Sequence, residues 1–410
     1  MHKLFSYIIV LLLLISTKVF AQKLEWSQKA NPILNQINSV AFSFDQKNVL
    51  SGTDCHPASI RMFDLDSGIL KWDYTVGSNY MCIMGVTFSS NKKFISAIEE
   101  FGNIFIFDNS GSIPKILDTI KTNSTYGFST AISSDNTILT AACSNGKLYL
   151  YNLTNKILVK EIDAHDNWVT SVTFSNDGKY IVTGGDDNLV KIWDSSGVFL
   201  NSCVGHTSDI TQVKVSPNNL YIISSSKDKK IKVWDIKTGK LVKNIVGHNG
   251  SVNGVDISPD GNYIVSASSD STLKIWSIND GTLKSTFGVS DSGIYKAVAW
   301  SANGDKIVSG NVKSDLSIWS INSNIGITSE NEKDNQLYIY PNPTYGIINF
   351  LFKKEISISR IYITDCVGQI IKHITANISN INTEGLSSGL YILIVESEGR
   401  ITYTKTFIKQ

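Results

Sequence analysis

Short runs of alternating apolar and polar residues, separated by Gly, Asn or Asp turns, fill the chain from residue 23 to residue 325. Period two marks a strand with one buried face, and runs this short are strand-length rather than helix-length. Three segments align without a gap: HDNWVTSVTFSNDGKYIVTGGDDNLVKIWD from His165, HTSDITQVKVSPNNLYIISSSKDKKIKVWD from His206 and HNGSVNGVDISPDGNYIVSASSDSTLKIWS from His248. Each reads as a strand, a turn, a second strand, a tight polar turn and a third strand ending in Trp. A further run such as GKLVKNIVG leads to the next unit. Four short strands per unit predict an all-β repeat architecture.

Weaker copies extend the pattern both ways. The third strand ends in Phe63-Asp64, Phe107-Asp108, Tyr151-Asn152, Trp193-Asp194, Trp234-Asp235, Trp276-Ser277 and Trp319-Ser320, at separations of 44, 44, 42, 41, 42 and 43 residues. From the first-strand residues Val86, Thr130, Val172, Val213, Val255 and Val298 to that aromatic the distance is always 21 residues. Only the first unit differs, with 23 from Val40, because DCHPAS lengthens its second turn.

This stretch resembles the WD-repeat β-propeller family, most strongly in the units from His165, His206 and His248. The resemblance implies a seven-bladed ring, and residues 22–325 are assigned to it. In such rings the first strand completes the last blade. KLEW, before the first full unit, is placed to pair with SDLSIWS and remove the open sheet edge.

Each strong unit repeats one polar set: His165, Thr183, Asp187 and Trp193; His206, Ser224, Asp228 and Trp234; His248, Ser266, Asp270 and Trp276. Ser, His and Asp together suggest a hydrolase triad, but a catalytic site is built once and this set occurs three times. The family resemblance implies a buried hydrogen-bond chain within each blade, and buried Trp N–H and hydroxyl groups need such partners. Position 187 is Lys313 in the last unit, Phe101 in the second and Asn145 in the third, so the blades without the full set are expected to rely on packing.

On the same resemblance, the loop entering each first strand and the turn between second and third strands share one face. That face is expected to present Trp168, Asp186, Asp209, Lys227, Tyr126, Tyr80, His56 and Tyr295. An exposed Trp with Tyr neighbours suits a protein or carbohydrate ligand; packing of Trp168 on a neighbouring blade is the alternative. No Gly-rich phosphate loop, His-Glu-x-x-His, Gly-x-Ser-x-Gly or calcium loop is present. Adjacent carboxylates such as Glu99-Glu100 and Asp186-Asp187 point to opposite faces of a strand, which suits acid–base work poorly. No cofactor and no metal site is expected.

The N-terminus, MHKLFSYIIVLLLLISTKVFA, pairs Lys3 with an apolar run from Tyr7 to Ile15 and small residues before a cut after Ala21. That is the layout of a secretory signal peptide, too short for a membrane span. No other run approaches spanning length, so no transmembrane segment is expected in the mature chain. Export permits disulfides, yet the five cysteines (Cys55, Cys82, Cys143, Cys203 and Cys366) are odd in number and scattered. Buried free thiols are the preferred expectation. Cys55 and Cys82 fall on the same predicted face, where a disulfide would fit, though two separate thiols are preferred. The net charge of +1 offers no basic field for nucleic acid.

Residues 326–336 are polar and aperiodic, a linker. Then YIYPNPTYG opens a last block, with strand patterns GIINFLF, SRIYITDCVG, QIIKHI, LYILIVES and ITYTKTFIK, as a small antiparallel β-sandwich requires. The residues Tyr340, Pro341, Asn342, Pro343, Thr344 and Gly346, then Asp365 and Gly368, then Gly389 and Tyr391, resemble the C-terminal sorting domain of proteins exported by the type IX secretion system of Bacteroidota. The resemblance implies transport across the outer membrane by that machinery, followed by release or surface attachment. A plain Ig-like module at 337–410 is the alternative. The sequence as a whole reads as a secreted or surface-attached scaffold that binds an extracellular protein or glycan. The rivals are an extracellular hydrolase or lyase with its site at the propeller channel, and a structural surface component.

Overall fold

The computed structural model describes residues 19–29, 36–54, 58–76, 81–289, 293–324, 337–340, 347–352, 358–365, 370–374, 380–397 and 402–409. These residues form strands and turns, with no helix among them. The chain divides into two compact units, Met1–Gly326 and Ile327–Gln410.

The first unit contains seven four-stranded antiparallel sheets among the described residues. Six are contiguous meanders, from Ile37–Phe42 in the first to Leu283–Phe287 in the sixth. The seventh joins Tyr295–Trp300, Lys306–Asn311 and Asp315–Asn324 to Val19–Lys29, which comes from the other end of the chain. Lys23 lies opposite Ser320, Leu24 opposite Trp319 and, past a bulge at Glu25, Trp26 opposite Ile318. KLEW therefore closes on the strand expected for it. Trp26 Nε1–H also donates to Leu65 O at 2.8 Å, which ties the closing strand to the first sheet.

The first strands of the seven sheets touch one another in cyclic order, from Ile37–Phe42 through Tyr295–Trp300 and back. Second strands such as Tyr180–Gly185 and Tyr221–Ser226 are buried along almost their whole length, because a neighbouring sheet covers each face. Fourth strands such as Lys115–Lys121 are largely exposed. One serine recurs in every first-to-second turn. Ser43, Ser89, Ser133, Ser175, Ser216, Ser258 and Ser301 each accept, on Oγ, the backbone N–H five residues on, at 2.8–3.0 Å. The turns are thus pinned by a side chain as well as by the backbone.

The second unit holds a three-stranded sheet (Leu337–Tyr340, Ile347–Phe352, Asn380–Asn382) and a four-stranded one (Ile370–Ile374, Ile358–Asp365, Gly389–Ser397, Thr402–Lys409). Ile348 and Ile381 of the first share a core with Ile361, Ile363, Leu393, Val395 and Phe407 of the second. Five of these strands follow the predicted patterns. Leu337–Tyr340 and Asn380–Asn382 are additional.

Candidate functional site

In the fourth sheet, His165 Nδ1 lies 2.8 and 2.9 Å from the two Asp187 oxygens, and Nε2 lies 2.9 Å from Thr183 Oγ1. Trp193 Nε1–H donates to the same hydroxyl at 3.0 Å. The fifth sheet repeats this with His206, Asp228 (2.7 Å), Ser224 (2.8 Å) and Trp234 (2.8 Å). The sixth has His248, Asp270 (2.8 Å), Ser266 (2.7 Å) and Trp276 (2.8 Å). One proton assignment satisfies every atom: Trp N–H to hydroxyl, hydroxyl to Nε2, Nδ1–H to carboxylate. The imidazole is then neutral. Burial holds His206 and His248 below the ordinary histidine range, against the opposing pull of Asp228 and Asp270. Burial works to raise Asp270, but bonds from Thr272, the Asn249 N–H and His248 outweigh it and hold the carboxyl at about 2.

The other sheets do not rely on packing alone, contrary to expectation. In the second, the carboxylate of fully buried Glu99 accepts the Phe101 N–H at 2.8 Å, the Asn103 N–H at 3.0 Å and the Asn103 amide. In the seventh, Asn311 Oδ1 accepts the Lys313 and Asp315 N–H groups, both at 2.9 Å. Glu99 and Asn311 occupy the position of Gly185, where a Cβ would lie 2.3 Å from His165 Nδ1. A histidine and a large residue at this position compete for one space, so the second and seventh sheets, which lack the histidine, cap the turn from the strand end.

The candidate binding face is defined by a backbone bond repeated in all seven sheets. The residue after the second strand donates its N–H to the carbonyl of the residue before the first. The pairs are Asp54 to Gln36, Glu100 to Cys82, Ser144 to Tyr126, Asp186 to Trp168, Lys227 to Asp209, Ser269 to Ser251 and Val312 to Ile294, at 2.8–3.1 Å. Trp168 is 42% exposed and leans on Phe128, ring centres 5.2 Å apart. Tyr126, 40% exposed, stacks at 6.3 Å on Phe101, itself 42% exposed. Asp186 accepts the Trp168 N–H at 2.9 Å and the Asn167 amide at 2.7 Å, which fixes the tryptophan's loop. Lys227 and Asp209 form an ion pair at 2.6 Å. Phe101 and Phe128 were not among the sequence candidates.

Tyr295 does not belong on this face. It is 1% exposed, and its hydroxyl accepts the Val289 N–H at 2.9 Å. It holds the register position of the buried residues Val169, Ile210 and Val252, and Ile294 is the counterpart of Trp168. Tyr80 and His56 lie outside the described residues.

The preference for free thiols holds for two cysteines and fails for one. Cys143 and Cys203 are free and buried, and burial pushes their thiols up to about 11 and about 12. Cys82 is disulfide-bonded. Its partner falls outside the described residues, as do both Cys55 and Cys366.

In the second unit, Asp365 and Tyr391 face each other across neighbouring strands, and Gly389 faces Lys409. Tyr391 packs on Phe407 at 5.7 Å and donates its hydroxyl to Ser387 O at 2.9 Å. Tyr340 ends the strand that pairs, through Asn349, with Ile347–Phe352. Pro341, Asn342, Pro343, Thr344, Gly346 and Gly368 lie outside the described residues.

The family model for the WD domain, G-beta repeat, matches residues 156–194, 197–235 and 239–277, and that for the secretion system C-terminal sorting domain matches residues 338–410. The chain carries three WD repeats and a type IX sorting domain. A curated relative is Protein groucho of Drosophila melanogaster, 32% identical over 95 residues, which are 23% of this chain and 13% of that protein. The chain thus spans only a small part of the length of that relative.

The three matched WD repeats carry the three complete His–Asp–Trp sets. Their polar atoms are spent on one another inside the blade. The half-exposed pairs Trp168–Phe128 and Tyr126–Phe101 stack near the surface instead. Among the described residues, no cluster of His, Cys, Asp or Glu could hold a metal ion, and no helix is long and apolar enough to cross a membrane.

Proposed function

We propose that this chain is an exported, non-catalytic binding scaffold: a seven-bladed propeller (residues 22–325) behind a leader cut after Ala21. A linker at 326–336 joins it to a sorting domain at 337–410, built as an Ig-like sandwich. It works in the medium or on the outer surface and engages a protein or glycan there. One observation carries the binding reading. Trp168, Tyr126 and Phe101 expose two-fifths of their surface on one face, where each large aromatic left in water costs hydrophobic free energy. The sorting domain supports the place of action. On this reading the His–Asp–Trp sets are structural. They hold the blades that carry Trp168, Asp186, Asp209 and Lys227.

Two experiments test this. Deleting residues 338–410 in the producing cells should trap the protein inside the outer membrane. An extracellular product from the truncated gene sinks the export reading. The wild type and Trp168→Ala should be compared on glycan and surface-protein arrays. Signals that survive Trp168→Ala, or no signal from the wild type, sink the binding face.

A further inference from the structure

Each first strand of the propeller carries one extra residue where its pairing with the second strand shifts register. The seven bulge residues are Asn38, Met84, Phe128, Thr170, Thr211, Asn253 and Lys296. A bulge re-aims a side chain out of the regular alternation, and all seven line one cavity of about 360 Å³ among the first strands.

Four of the seven spend a side-chain donor on the carbonyl that opens the next first strand. Asn38 Nδ2 reaches Ile83 O at 3.2 Å, Thr170 Oγ1 reaches Ile210 O at 2.6 Å, Thr211 Oγ1 reaches Val252 O at 2.5 Å and Asn253 Nδ2 reaches Tyr295 O at 2.7 Å. Met84 and Phe128 have no donor to spend. Lys296 has three and spends none: its half-buried ammonium has no hydrogen bond or ion pair among the described residues. The cavity's other charges are accounted for. Lys214 pairs with Asp256 at 3.5 Å, and Asp256 also accepts the Trp300 N–H at 2.7 Å. Two lysines against one aspartate leave a single positive charge unbalanced in the lining, and it belongs to Lys296. Around the ring, Lys296 sits in the seventh sheet and Phe128 in the third, so the apolar side chain stands across the cavity from the cation.

We propose that this cavity binds a small organic carboxylate, its anion on Lys296 and its apolar body against Phe128 and Met84. The volume falls in the range of small-molecule sites. A cation between low-dielectric walls attracts an anion more strongly than one on an open surface. The site shares Phe128 with the outer aromatic face, where Trp168 leans on it, but its anion contact at Lys296 is its own.

The test is calorimetric titration of the full chain with phenylacetate, with phenylacetamide (the same shape without the charge) and with acetate. Phenylacetate should bind saturably. Phenylacetamide should bind the wild type about tenfold more weakly or worse, and Lys296→Met should weaken phenylacetate to the same degree, as expected for loss of a charged hydrogen bond. Lys296→Arg should retain binding, and added salt should weaken it. Acetate, which lacks the apolar body, should bind more weakly than phenylacetate. Equal binding of acid and amide overturns the proposal. So does an unchanged affinity in a Lys296→Met protein, or no saturable binding of phenylacetate up to about 50 mM. The acid–amide comparison uses only the wild type, so it stands even if a variant folds badly.

Discussion

The fourth and second sheets of the propeller solve one problem with different residues. In the fourth, a histidine from the preceding loop holds Asp187, and Asp187 accepts the Leu189 N–H of the tight turn. In the second there is no such histidine, and Glu99 reaches from the strand end to cap the same turn. The turn imposes the requirement, because its N–H groups leave the strand ladder and need other acceptors. The residue that meets it is negotiable, provided the space is shared out. Gly185 leaves room for His165, and Glu99 fills that room itself. Loss of the sequence signature is therefore not loss of the polar network.

The sharpest test of this equivalence removes the substitute. Glu99→Ala leaves two turn N–H groups and the Asn103 amide without their acceptor. It should cost about 2–4 kcal/mol in urea unfolding, with Glu99→Gln recovering part of it. A Glu99→Ala protein as stable as the wild type would mean that the second sheet rests on packing after all. Asp228→Ala is the matching change in a complete set. It should cost about 1–3 kcal/mol and leave ligand binding at Trp168 unaffected. Lost binding at an unchanged melting temperature would move the set from structure to function.

The fixed 21-residue spacing made the sheets and their register legible, because sheets that pack face to face tolerate no drift in where strands begin. The closing strand was legible for a related reason: an unpaired Asp315–Asn324 edge needs a partner, and KLEW was the free strand pattern. The recurrent turn serine was visible three residues after every first-strand anchor, yet serine is too common in turns to stand out. Tyr295 was misplaced by one residue, and one residue along a strand exchanges the exposed face for the core. Phe101 and Phe128 escaped notice because exposure depends on what the neighbouring sheet leaves uncovered. The sequence allowed a disulfide at Cys82 but offered no reason to prefer it, since scattered cysteines without a local Cys-x-x-Cys motif do not announce a bond.

Titration separates the two kinds of sheet more gently. The folded-state pKa values of His206 and His248 lie below the ordinary 6.5, with burial the main cause. The unfolded chain thus takes up protons more readily. Their contribution is complete above pH 6.5 and is lost as pH falls through the folded values. Asp270, held at about 2 against an ordinary 3.8, adds a second loss between those two values. Urea midpoints should therefore fall between about pH 7.5 and about pH 5, before carboxylates titrate. Replacing both His206 and His248 by Asn should flatten that slope. A slope unchanged in the double variant would assign it to other groups.

The smallest effect on stability should come from the residue with the largest expected effect on binding. Trp168 is 42% exposed and packs on Phe128, while its loop is held by backbone bonds to Asp186 that do not need the indole. Truncating a side chain this exposed loses less packing than truncating a buried one, so Trp168→Ala should cost no more than about 1 kcal/mol. Trp193, two strands over in the same sheet, is 5% exposed and hydrogen-bonded to Thr183. Trp193→Ala should cost about 3–5 kcal/mol, as deletion of a large buried side chain does. If the two variants destabilise equally, Trp168 is a packing residue of the propeller. If they differ as expected, nothing in the fold requires an aromatic at position 168, and the reason for one lies outside the chain.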